Sequence, residues 1–104
     1  MTGISAVRAV NQLLLTAVVV ESGALRFTPA GLPALDLKLE HESTVPEAGK
    51  PRQVKAVLKA VAFGGVAERL AMQAMGSLWH FQGFLATSGT AKQPVLHIQD
   101  FQQD

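Results

Sequence analysis

The sequence predicts an all-β domain of five strands closed into a Greek-key barrel, with one short helix between strands three and four. Three observations predict it. Apolar and polar residues alternate along several short stretches, the period of a half-buried strand. A single stretch, residues 66–75, switches to the i, i+3, i+4 spacing of a helix. Turn chemistry rich in Gly and Pro separates these stretches. A chain of 104 residues holds one such domain and not two.

Residues 11–20, rich in Leu and Val, form the expected first strand, buried on much of both faces and stopped by Glu21-Ser22-Gly23. Residues 28–33 are a turn, because Pro fixes φ and Gly supplies positive φ. In the second strand Leu35, Leu37 and Leu39 face one way while Asp36, Lys38 and Glu40 face the other. That strand is expected to run out at residues 41–44 into a polar loop carrying Pro46, Gly49 and Pro51. The third strand, residues 54–63, sets Val54, Ala56, Leu58, Ala60 and Ala62 against Lys55, Val57, Lys59 and Val61. The helix stripe is Val66, Ala67, Leu70, Ala71, Ala74 and Met75, with Gly76 expected as its C-cap glycine. The fourth strand, residues 78–86, turns Trp79, Phe81, Gly83 and Leu85 inward and His80, Gln82 and Phe84 outward. A loop then leads to the last strand, residues 94–101. This element order is that of the OB-fold, whose central strands and flanking loops commonly bind single-stranded nucleic acid; the competing topology is a generic α+β roll, which periodicity alone does not separate from it. Residues 1–10 are expected as an N-terminal extension and residues 11–104 as the single OB-fold domain.

Composition narrows the function. The formal charge is +1, which excludes an acidic tail protein and a histone-like basic one. Cys is absent, so a disulfide framework, a thiolate nucleophile and Cys-based zinc sites are excluded, and the reducing cytoplasm is the compartment that fits. The apolar run of residues 13–20 is far short of the ~20 residues a membrane helix needs, so no membrane role is expected. No catalytic motif is present: Gly49-Lys50-Pro51 places proline where a phosphate-binding loop needs Ser or Thr. His41, His80 and His97 fall on three different strands without metal-ligand spacing, and Glu40 and Glu42 cap a solvated face. Neither an enzyme nor a cofactor or metal site is expected.

Charge is segregated along the chain. Residues 36–47 carry a net −3, whereas Lys50, Arg52, Lys55 and Lys59 follow without an acid among them. Lys55 and Lys59, four apart on a strand, share a face about 13 Å apart, a spacing that suits phosphates along a strand of nucleic acid and equally a lysine-decorated solvated face. Aromatic platforms for base stacking are scarce. Phe84, of outward parity, is the best candidate for stacking or for a dimer contact, and Phe27 is the second.

A resemblance adds to this reading. Residues 27–33 (Phe-Thr-Pro-Ala-Gly-Leu-Pro), 37–43 (Leu-Lys-Leu-Glu-His-Glu-Ser), 47–53 (Glu-Ala-Gly-Lys-Pro-Arg-Gln), Gln82-Gly83-Phe84 and Val95-Leu96-His97 together resemble the PriB family of primosomal replication proteins, relatives of single-stranded DNA-binding protein. The resemblance implies a homodimeric OB-fold that binds single-stranded DNA and assists the PriA helicase, with DnaT downstream, in reloading the replisome at stalled forks. The alternatives are an OB-fold protein-interaction module and a general single-stranded DNA-binding protein without a C-terminal tail. The chain ends at Asp104 directly after the fifth strand, which favours the shorter family. It also departs from the pattern. Residues 88–93 contain one lysine where the family is lysine-rich, Lys55 stands where better-known members carry an aromatic, and Glu21 and Glu42 stand where basic residues are expected. Arg26, Lys50, Arg52, Lys55, Lys59, Phe84 and Lys92 remain as the candidate DNA contacts, and weak, salt-sensitive binding is expected.

Overall fold

A computed structural model describes residues 9–87 and 92–103; the expected extension, but for Ala9 and Val10, and four residues of the last loop lie outside them. The elements are β1 (Leu13–Ser22), β2 (Arg26–Phe27), β3 (Pro33–Glu47), β4 (Lys50–Phe63), α1 (Gly65–Ala71), β5 (Leu78–Ala86) and β6 (Val95–Gln102). With the two-residue β2 set aside these are the five expected strands, and the helix falls between the third and fourth.

The sheet runs β1-β5-β6-β4-β3-β2 and closes through a β1–β3 pairing. Closure depends on β1 serving two neighbours. Its first half pairs with β5 and its second with β3, and Val18 faces both Leu78 and Glu40. The register slips between Val19 and Glu21, a bulge that bends the strand from one sheet edge to the other. The remaining seam is the parallel pairing of β4 with β6 at Ala60–Ala62.

The inward residues of the alternating strands fill the barrel, with Phe81, Leu35, Leu39 and Leu96 almost completely buried and, among the described residues, no polar side chain buried with them. Ala67 and Leu70 of α1 cover one end against β3 and β4. Trp79 meets the Phe101 ring edge-on at 4.9 Å and donates its indole N–H to Ser77 Oγ at 2.8 Å, so its polar tip is satisfied.

Three expectations are corrected. The residues read as a polar loop after His41 are a β-ribbon, since β3 and β4 stay in register from Glu42↔Lys55 to Glu47↔Lys50. Its turn is Ala48-Gly49, with φ of 53° and 78°, the two positive values of a type I′ hairpin. Pro46 and Pro51 face each other next to the closing pair, at a position where the missing N–H points away from the partner strand. Helix α1 is shorter than its apolar stripe. It is capped at Met72, and Met72 and Met75 are exposed. Gly76 instead adopts φ 82° to turn the chain back, its N–H donating to Val19 O at 2.9 Å. Pairing with β1 therefore outweighs the helix propensity of residues 72–75. Finally, β1 is fully buried only on the face of Ala17 and Val19; on the other face Thr16, Val18 and Val20 are half-buried and Leu14 is 68% exposed.

Candidate nucleic-acid interface

The outer face of β3 and β4 is built by parity. With Leu35, Leu37 and Leu39 committed to the core, Asp36, Lys38, Glu40 and Glu42 must project outward, and the register sets Val61, Lys59, Val57 and Lys55 opposite them. Lys38 therefore stands directly across from Lys59. Like charges in that position repel. Glu21, opposite Lys38 on β1, relieves the repulsion through an ion pair at 3.3 Å.

The two lysines form a ridge between two open clefts. One, of about 490 Å³, is lined by Glu21, Ser22, Gly23, Asp36, Leu37, Lys38, Lys59, Ala60 and Val95. The other, of about 480 Å³, adds Val57, Leu58, Lys92, Gln93 and Pro94 to the same lysines and Val95. The second cleft thus gathers three ammonium groups from β3, β4 and the loop before β6. Among the described residues no aromatic lines either cleft; Val57, 62% exposed, occupies the middle of the face.

The other candidates lie around this centre. Arg26 clamps Asp36 with two hydrogen bonds, Nε to Oδ2 at 2.8 Å and Nη2 to Oδ1 at 3.2 Å. That hydrogen bond lowers the Asp36 carboxyl pKa against the slight burial that opposes it, and raises the already high pKa of the guanidinium. Lys55 shares the outer face but is paired with Glu42 at 3.3 Å. Arg52, three residues away on the strand, projects from the opposite face of the ribbon and pairs with Glu47 at 2.6 Å. Lys50 shares that opposite face. The structure does not bring Arg52 and Lys50 together with Lys55 and Lys59. Among the described residues Lys50, Lys59 and Lys92 carry no ion pair.

Phe84 has the outward parity expected of it, but its ring is stacked on His97 at 4.9 Å and 16°. His97 also meets Phe63 at 5.9 Å. This row crosses β5, β6 and β4 on the outer face, and it covers part of the Phe84 surface that a base would use. Phe27 is the more exposed ring, at 63%. His41 ties β3 to β1, since its Nδ1–H donates to Thr16 O at 2.6 Å while Nε2 accepts from the Ser43 hydroxyl at 2.7 Å. Sequence reasoning left out Lys38. Its outward parity was legible, but only the register shows that it faces Lys59. Among the described residues no cluster of His, Cys, Asp and Glu could hold a metal ion, and no helix is long and apolar enough to cross a membrane.

Comparison with known proteins bears on this surface. The model of a family described as "another single-strand binding protein family" matches residues 11–100. The chain is 51% identical over 90 residues to replication restart protein PriB of Bordetella pertussis, covering 86% of this chain and 84% of the relative. It is 38% identical to the protein of that name from Neisseria meningitidis, over 89% of this chain and 94% of the relative. The three-dimensional structure of PriB from Ralstonia solanacearum superposes with a TM-score of 0.84 at 35% identity, covering 90% of this chain and 97% of that one. A deletion mutant of the single-stranded DNA binding protein from Thermus aquaticus shares the fold, with a TM-score of 0.72 at 24% identity over 92% of this chain and 51% of that one.

Proposed function

The chain belongs to the single-strand binding protein family and, within it, to the replication restart protein PriB group, and from that membership we propose that it is a primosomal protein that binds single-stranded DNA weakly. The observation that carries the proposal is the second cleft, where Lys59 and Lys92, free of intramolecular acids among the described residues, flank an exposed apolar floor. A phosphodiester backbone laid along the cleft meets the two ammonium groups, while Val57 and Pro94 offer apolar surface to sugars or bases without stacking them. Lys55 and Arg26 lie at its margins, each already paired with a carboxylate. Lys50 and Arg52 reach DNA only where the strand passes round the ribbon, and Phe84 contributes an edge rather than a full ring face.

Binding of this kind is electrostatic, hence weak and salt-sensitive, and of most use when a partner holds the DNA as well. The PriA helicase is that partner in our reading, with DnaT downstream at the restarting fork, and the protein acts in the cytoplasm without catalysis. A second copy of the chain adds along β1. Among the described residues β3 pairs with β1 only from Val18 onward, so the earlier part of the strand, Leu13 to Ala17, meets on that edge the His41 ring at Thr16 O, and Leu14 is exposed there.

Anisotropy of labelled oligo-dT, titrated with protein over a range of salt, tests the DNA reading. Two phosphate contacts give a slope of log K against log salt near −1.4, at about 0.7 per contact. Lys59→Ala or Lys92→Ala removes one contact and weakens binding about fivefold at 0.1 M salt. Undetectable or salt-independent binding would remove DNA contact from the function. Capture of PriA retained by a Lys59→Glu protein that has lost DNA binding would favour the interaction-module alternative.

A further inference from the structure

Two of the lysines on the outer face are already occupied by carboxylates. Glu21 lies opposite Lys38 and Glu42 opposite Lys55 in the strand register, and both pairs close to 3.3 Å. Register, not a chance rotamer, holds each acid beside its base. All four side chains are exposed, from 41% for Lys38 to 73% for Lys55, so the same ammonium groups are accessible to a polyanion.

We propose that Glu21 and Glu42 are built-in competitors for the DNA backbone that set the affinity and salt dependence of this face. The physical reason lies in counter-ion exchange. A lysine neutralised by solution ions gains when a phosphate displaces them, because the ions condensed on the DNA are released. A lysine neutralised by Glu42 gains nothing comparable, since the carboxylate it abandons recruits a cation in turn. Lys38 and Lys55 therefore add little to wild-type binding, and Lys59 and Lys92 dominate it.

The inference rests on the nucleic-acid reading, yet the two fail separately. The experiment measures oligo-dT affinity against salt for the wild type, Glu21→Gln, Glu42→Gln and the double variant. Glu68→Gln, which makes the same charge change on exposed α1, serves as control. The amide is isosteric and the sites are exposed, so the fold is retained, as circular dichroism and melting will record. Each freed lysine tightens binding about fivefold at 0.1 M salt, and the double variant steepens the slope from about −1.4 to about −2.8. Lys55→Ala is nearly silent in the wild type but cancels the gain of Glu42→Gln. Variants that bind no tighter than the Glu68→Gln control, or a Lys55→Ala effect equal in both backgrounds, overturn the inference while leaving DNA binding intact. If neither the wild type nor the double variant binds, the DNA reading falls and the inference with it.

Discussion

Gly83 shows how one residue fixes both a strand and the site beside it. It sits where the β5–β6 register slips between Gln82 and Gly83, and its absent side chain lets the His97 backbone approach. A Cβ there would overlap the His97 carbonyl group and press on Leu96 Cδ1 at 3.1 Å. The obstacle is backbone, so a strand must move. Gly83→Ala is expected to destabilise the protein by about 1–3 kcal/mol, read from urea melts, and to displace the Phe84–His97 stack next to it. His41 makes the complementary point. As a sequence feature it was one more polar residue at a strand end; the fold makes it the side chain that satisfies the Thr16 carbonyl.

At the scale of elements, the ribbon formed by residues 42–47 and 50–55 decides where the basic residues go. It extends about 17 Å beyond the last strand that supports it, at ~3.4 Å per residue. Alternation along it sends Lys55 to one face and Arg52 to the other. The charge segregation of the sequence, acidic second strand and basic third, becomes cross-strand complementarity: Glu42 meets Lys55 and Glu47 meets Arg52. Its turn carries strain, because Ala48 holds φ 53° without the freedom of glycine. Ala48→Asn, the residue an Asn-Gly type I′ turn favours, is expected to raise unfolding free energy by about 0.5–1 kcal/mol with oligo-dT affinity unchanged. A matched thermal melt and anisotropy titration check both halves of that statement.

The whole molecule is a closed barrel with an arm, and its radius of gyration of 15.3 Å exceeds the ~13 Å of a compact chain of this length. A barrel this small has a thin core. The proposed second copy along β1 would extend it, since backbone groups at an open strand edge are ready to pair. Sedimentation equilibrium is expected to show a dimer at micromolar concentration, and Leu14→Lys, which places charge on that edge, to shift it toward monomer. A stable wild-type monomer would count against the β1 pairing.

By itself the sequence determined the five-strand order, the helix position and the inward set of Leu35, Leu37, Leu39 and Phe81, because period and turn chemistry are local properties. Its motifs also carried the family resemblance that the comparisons bear out. Only the tertiary structure decided which charges meet. The ribbon was hidden because prolines and polar residues suit an edge hairpin as well as a loop. The end of α1 was hidden because it answers to Val19, more than fifty residues earlier. The Lys38–Lys59 ridge and the carboxylates set beside Lys38 and Lys55 follow from cross-strand register, a long-range property that no single strand contains.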